Sequence, residues 1–363
     1  MPPALTLRAG PDALAHVRER GLRPEDVDIL PGASGGAKWL VLAGLDRYLF
    51  GEFFQVPRAR PLHLIGSSIG SWRMACLAQR DPAAALARGH HFYVHEQRYS
   101  SRRPTPAEVS AVLGAALDRL LGPTGVAEIL AHPWARLHVL TTQARGLAAR
   151  ARRGALLAGF GLAAAANVVA RRSLALQFRR VIFHTAGDAS PFAGLADLPT
   201  AHRPLTPDTL RPALAASGSI PLLMEGVRVP GAPGLFWDGG ILDYHPDLDF
   251  NPAPPADMGG LVLYPHFYAH VIPGWFDRRL GWRRVSGASG SANFRRALLL
   301  APSDDFVASL PGGKIPDRQD FYALDEPERV RRWQRVVDAS AWLGDELREL
   351  VATGRVADAV RPW

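Results

Sequence analysis

The segment Leu62-His63-Leu64-Ile65-Gly66-Ser67-Ser68-Ile69-Gly70-Ser71-Trp72 constrains the fold more than any other part of the chain. An apolar run of strand length gives way within a few residues to a helix start, and the turn between them reads G-x-S-x-G. A serine that projects from so sharp a strand-to-helix turn sits on a strained backbone. Residues two before and two after it crowd together and must be small, and Gly66 and Gly70 occupy those positions. The helix expected over Ser71–Gln79 aims its first amides and the positive end of its dipole at the same spot. Ser68 is therefore a candidate nucleophile.

Elsewhere short apolar runs alternate with longer helical patterns, which predicts a layered α/β fold. Strands are expected over Val27–Leu30, Leu62–Ile65, Leu137–Thr141, Val181–Thr185, Leu235–Trp237, Leu261–Tyr264 and Leu298–Leu300. Helices are expected over Asp12–Arg20, Lys38–Phe50, Ser71–Gln79, Ala107–Leu121, Thr206–Ala216 and Glu326–Val351, the last a long, charged surface helix with one inward face. There is no internal repeat, and Pro252–Pro255 reads as a loop. The length allows one large α/β domain over 1–363 or a domain with an inserted subdomain; the core motifs fall at about 25–265, leaving 266–363 as a C-terminal extension.

Upstream of the serine turn lies Pro31-Gly32-Ala33-Ser34-Gly35-Gly36-Ala37-Lys38-Trp39, again between a strand and a helix. Adjacent glycines let backbone N–H groups face a shared anion. A nucleotide-binding P-loop is disfavoured, because the glycine before Lys38 is missing and Trp39 has no hydroxyl for magnesium. The better reading is an oxyanion hole built on the amides of Gly35 and Gly36, with Lys38 adding positive potential. Ser34 is a rival nucleophile, since Gly32 to Gly36 also reads G-x-S-x-G.

A serine hydroxyl needs a base. Asp238, at a predicted strand end before Gly239-Gly240, reads either as a turn residue opening Asp-Gly or as a carboxylate at a point of close backbone approach. His245 and His266 leave a Ser–Asp–His triad open as the alternative.

Together and in this order, the glycine loop SGGAKW, the elbow GSSIG, the run Ala215-Ala216-Ser217-Gly218-Ser219-Ile220-Pro221 and Asp238-Gly239-Gly240 resemble the patatin-like phospholipase family. That family carries G-G-G-x-[KR]-G, G-x-S-x-G, A-S-x-x-x-P and D-G-[GA]. In this chain Ser34 stands at the first loop glycine and Trp39 at the last. The resemblance implies a three-layer α/β/α scaffold with a central, mostly parallel sheet. It also implies a Ser68–Asp238 dyad, oxyanion donors at Gly35 and Gly36 with Lys38 beside them, supporting glycines at 66, 70 and 239, and no cofactor or metal. The substrate it implies is a lipid or phospholipid acyl ester. A catalytically inactive lipid-binding relative is a further alternative.

The formal charge of +8 is carried by arginine, Lys38 and Lys314 being the only lysines. Residues 154–170, GALLAGFGLAAAANVVA, lie between Arg152-Arg153 and Arg171-Arg172. They read as a buried or lid helix, an interfacial lipid-docking helix or a short span, within a helical insertion at about 146–180. Trp275, Phe276 and Trp282 interleave with Arg278, Arg279, Arg283 and Arg284, a pattern that reads first as packed core with solvated arginines, next as the headgroup boundary of an anionic membrane, and least as a nucleic-acid surface. His90, His91 and His95 lack acidic or thiol partners at ligand spacing, against a metal site. The single cysteine, Cys76, and the lack of a basic-then-apolar leader leave cytoplasm as the default location, and the lipid-docking reading of 154–170 adds peripheral contact at the inner face of a membrane. Oligomeric state is not encoded in any motif.

Overall fold

The computed structural model describes residues 2–150, 153–187, 190–250, 260–286 and 292–363. Pro252–Pro255 and Arg152 lie outside the described residues. Ten strands form one sheet: β1 (Leu5–Ala9), β2 (Val27–Gly32), β3 (Leu62–Ser67), β4 (Ala135–Ala144), β5 (Phe178–His184), β6 (Thr200–Pro204), β7 (Phe236–Asp238), β8 (Leu261–Pro265), β9 (Ala297–Pro302) and β10 (Arg361–Pro362). Their order is β10-β1-β9-β8-β2-β3-β4-β5-β6, with β7 paired to β4. The central strands β9, β8, β2, β3 and β4 run parallel, and β1/β9, β4/β5 and β4/β7 are antiparallel. Helices flank the sheet, the arrangement of a three-layer α/β/α fold. Strands β2, β3, β8 and β9 are buried along their whole length, as strands covered on both faces must be, and they read as largely apolar runs, interrupted by Asp28 in β2 and by His63 and Ser67 in β3.

All seven expected strands are present. The chain adds β1, β6 and β10, which are either short or carry polar residues at alternate positions. Residues after 265 supply β9, which lies between β1 and β8, so the C-terminal segment is part of the sheet. The expected helix over 38–50 is three pieces: a 3₁₀ stretch Gly36–Leu42, an α-helix Ala43–Tyr48 and a π stretch Leu49–Phe53. The expected helix over 206–216 starts only at Leu210. The long C-terminal helix breaks at Ser340 into Glu326–Ala339 and Ala341–Ala352. There the helix Ala43–Tyr48 crosses so closely that a Cβ on Gly44 would lie 2.0 Å from the Ser340 carbonyl oxygen. The Gly44 amide donates to Ser340 Oγ at 2.8 Å.

One row of side chains crosses the sheet. His63, His138, His184 and His202 sit on β3, β4, β5 and β6 in turn. His63 Nδ1 meets His138 Nε2 at 3.1 Å, and the ring centroids of His138 and His184 are 5.4 Å apart. Burial and neighbouring cations, Arg136 for His63, push His63 and His184 down to about 4, and His138 lies well below the usual imidazole value. The unfolded chain therefore takes up protons near 6.5 that the folded chain refuses until about 4. The contribution of these groups is fully present above 6.5 and is lost as pH falls toward 4. The urea midpoint is expected to drop steadily over that window, with a shallower drop in His138→Phe. A flat midpoint for the wild type would contradict this account.

Candidate active site

Strand β4 brings the two candidate residues together. On one edge it pairs with β5 from His138 to Ala144. On its other edge β3 pairs up to Ser67 opposite Leu140, and β7 then takes over with Asp238 opposite Thr141. The ends of β3 and β7 thus meet head to head at adjacent positions of one strand. Ser68 leaves β3 at φ 54° and ψ −133°, in the left-handed region that side chains seldom occupy, and heads the helix Ile69–Leu77. Such a conformation costs about 1–3 kcal/mol and persists only where the surroundings enforce it.

Close backbone contacts enforce it. A Cβ on Gly70 would lie 2.1 Å from the Gly32 carbonyl oxygen, and one on Gly66 would lie 2.5 Å from the Gly70 carbonyl carbon. The turn therefore packs directly onto the end of β2. Gly239 is as tight, since its Cβ would lie 2.2 Å from the Leu140 oxygen. Ser217, from the helix Leu210–Ser217, accepts the Ser68 amide at 2.9 Å and donates its own hydroxyl to the Leu140 carbonyl at 2.7 Å. The amides of Asp238 and Gly239 donate to the carbonyls of Ser219 and Ser217. One short loop thus clamps both candidate residues to β4.

Ser68 Oγ donates to Asp238 Oδ2 at 2.7 Å, across 170 positions of sequence. The other carboxylate oxygen, Oδ1, accepts the Gly240 amide at 2.7 Å. The carboxylate is therefore held by the backbone on one side and free to take a proton on the other. Burial lifts it to about 7, against smaller downward pulls from the Ser68 hydroxyl and the Gly240 amide. The short helix Gly240–Asp243 that follows is fixed by Arg180, fully buried, which grips both oxygens of Asp243 at 2.7 Å.

Both residues line a cavity of about 270 Å³ that Gly35, Gly36 and Lys38 also line. Gly36 has φ 55° and opens the 3₁₀ stretch, whose first amides have no acceptor within the helix. A Cβ on Gly35 would come within 2.8 Å of the Phe267 ring, so no larger residue fits between that ring and the loop. Lys38 is depressed to about 8, chiefly by burial and then by Arg278, Lys314 and Arg318, with Asp317 opposing. Trp39 turns into the core, where its ring packs on His90 at 4.4 Å. The remainder of the cavity wall is largely apolar, including Val109, Leu113, Phe160, Ile220 and Leu223.

The rivals separate cleanly. Ser34 Oγ pairs with Ser67 Oγ at 2.7 Å, and Ser67 spends its proton on the Asp243 carbonyl, so Ser34 is a strut between the glycine loop and the end of β3 and has no hydrogen bond to a base. Nδ1 of His245 and of His266 each accept a backbone N–H, from Ile272 and Tyr268, and neither ring bonds to Ser68 or Asp238. His95 pairs with Gln334, and no group of three or more His, Cys, Asp or Glu gathers at metal-binding distance among the described residues. Ser217 and Ser219 lie in the run Ala215–Pro221, where the sequence alone assigns them no role. Their signal was a run of small polar residues between a helix and Pro221.

Asp238 also has a signature in stability. The folded chain holds a proton here that the unfolded chain gives up above about 3.8, so this group favours folding fully below that value and the contribution is lost as pH rises through about 7. Asp238→Asn, neutral and of the same shape, is expected to melt at a higher temperature than wild type above about pH 8, with the gap closing as pH falls. A variant less stable by the same margin at every pH would contradict the buried carboxylate.

A scan against models of known protein families matches none, and a search of curated proteins finds no match.

Proposed function

We propose that the chain is a serine carboxylic-ester hydrolase of patatin-like type, acting on acyl esters of lipids, with Ser68 as nucleophile and Asp238 as base. The observation that carries this reading is the 2.7 Å hydrogen bond from the Ser68 hydroxyl to a carboxylate oxygen raised to about 7, at the wall of an apolar cavity. A base works best with a pKa near the operating pH, and an ordinary exposed aspartate would be too weak.

The chemistry has two halves. Asp238 accepts the Ser68 proton as Oγ attacks the ester carbonyl, and the oxyanion that forms is met by amides of Gly35 and Gly36, with Lys38 adding positive charge nearby. Collapse of this intermediate expels the alcohol, which leaves with the proton from Asp238, and the acyl group stays on Ser68. Water then gives a proton to Asp238 as it attacks the acyl-enzyme. The carboxylic acid departs and Ser68 regains its hydrogen. Donors preorganised at the oxyanion are worth on the order of 10²–10³ in rate each. The apolar wall suits an acyl chain, and Arg278 and Arg318 at the same cavity suit an ester carrying a negative group.

Against a soluble short-chain aryl ester, Ser68→Ala and Asp238→Asn are each expected to lose roughly 10³-fold or more in kcat. His245→Asn, which keeps an acceptor for the Ile272 amide, should keep most of it. The kcat/KM profile is expected to rise through about 7 as Asp238 ionises and to fall above about 8 as Lys38 discharges. In Lys38→Met the upper limb should vanish and the lower one remain. Loss of activity in His245→Asn with a normal melting curve would replace the dyad with a triad.

A further inference from the structure

The helix Arg153–Val169 is built inside out. Surface helices put polar residues toward water, yet between Gly154 and Val169 the only polar side chain is Asn167, and it is fully buried. Its side-chain amide donates to Asp277 Oδ1 at 2.8 Å, and its backbone carbonyl accepts from Arg283 at 2.7 Å. The inner face, with Phe160 and Ala163, packs on a small satellite core around Phe178 and Trp237. The outer face presents Leu157, Leu162, Val168 and Val169 to solvent, the last 87 % exposed. Nearby stand Leu176 at 65 % and Trp282 at 71 %.

This apolar surface continues to the mouth of the cavity. Phe160 lines the cavity from the inner face of the helix, and its ring lies 5.9 Å from Phe276. Phe276 in turn touches Trp275, which with Leu222 and Tyr322 is both exposed and part of the cavity wall. Leu222 is held at φ 67°, a strained backbone that presents an aliphatic side chain to water.

Charge makes the same surface one-sided. From residue 129 to 187 the chain has nine arginines and no carboxylate. Arg172, Arg278, Arg279 and Arg284 are exposed, and among the described residues none is paired with a carboxylate. Of the carboxylates close by, Asp197, Asp243 and Asp277 are taken up by Arg171, Arg180 and Arg283, and Asp317 at the cavity wall is paired with Lys314. Among the described residues no helix is long and apolar enough to cross a membrane, so this helix fits a place in the plane of an interface.

From this we infer that the outer face of helix Arg153–Val169, with the segment Trp275–Arg284, docks on an anionic lipid bilayer and brings the mouth of the Ser68 cavity to the membrane surface. Nucleic acid is the lesser fit, because the exposed side chains on the helix are aliphatic and offer bases nothing to stack on. The inference places the proposed lipid hydrolase at its substrate, but the surface itself does not depend on catalysis.

The test is vesicle flotation of the Ser68→Ala protein, which leaves lipid intact under the proposed chemistry. Vesicles are phosphatidylcholine alone or with phosphatidylglycerol, at low and high salt. Binding is expected only with the anionic lipid and should weaken as salt rises. Leu162→Glu/Val169→Glu should reduce the bound fraction at least about tenfold. Arg172→Glu/Arg279→Glu should do the same at low salt, since each basic residue near such a surface is worth about fivefold. Both variants, built on the wild-type serine, should keep the turnover of a soluble short-chain ester, and melting curves check their fold. No flotation of the parent at low salt, tight binding to single-stranded oligonucleotide without vesicle binding, or burial of this face in a dimer by sedimentation would each overturn the inference. Flotation together with absence of any ester turnover in wild type would sink the hydrolase reading and leave the docking surface standing.

Discussion

The site depends on the two edges of β4. A strand has room for one neighbour on each edge at any position, and here β5 occupies one edge while β3 and β7 share the other. Because β3 stops opposite Leu140 and β7 begins opposite Thr141, the residue after one and the last residue of the other fall within hydrogen-bonding reach. A shift of one register step would turn the Asp238 side chain to the opposite face of the sheet. The distance of 2.7 Å between Ser68 and Asp238 is therefore fixed by ladder hydrogen bonds rather than by any attraction between the two side chains.

Around that ruler, the molecule commits its tightest packing and its buried charges to holding two turns still. Three backbones, at Gly32, Gly66 and Gly70, pass at distances that exclude a Cβ. The helix that follows Ser68 is anchored by Arg73, which makes two bonds to Asp46 at 2.6 and 2.7 Å with both side chains out of water. The turn that follows Asp238 is anchored by Arg180 on Asp243. Breaking a buried pair of this kind typically costs 3–5 kcal/mol, so each is a stiff support. The same arginine–aspartate cluster reaches through Asp277 and Asn167 to the helix Arg153–Val169. From Gly154 to Val169 that helix keeps an apolar face in water because its one polar residue there, Asn167, is spent inward.

Much of this was legible in the sequence because local rules and the fold agree. Strands buried on both faces show as largely apolar runs, and the elbow shows as Gly66 and Gly70 around Ser68. Other features are set by tertiary contact and leave little local trace. β6 carries a Thr-Ala-His-Arg-Pro sequence whose pairing with β5 is what makes it a strand. The break at Ser340 is forced by Gly44 from the far end of the chain. The role of Ser217 needs three partners, Ser68, Leu140 and Gly239, from three separate segments. Ser34 shows the converse, since it satisfies the same short pattern as Ser68 and only its partners reveal a structural task.

The most direct test of the central claim is reaction of the wild-type protein with a fluorophosphonate, read by intact mass and by mapping the modified peptide. The account predicts one adduct per chain, on Ser68, with none in Ser68→Ala and a greatly slowed reaction in Asp238→Asn. An adduct on Ser34, or an unmodified protein that is folded by its melting curve, would contradict it.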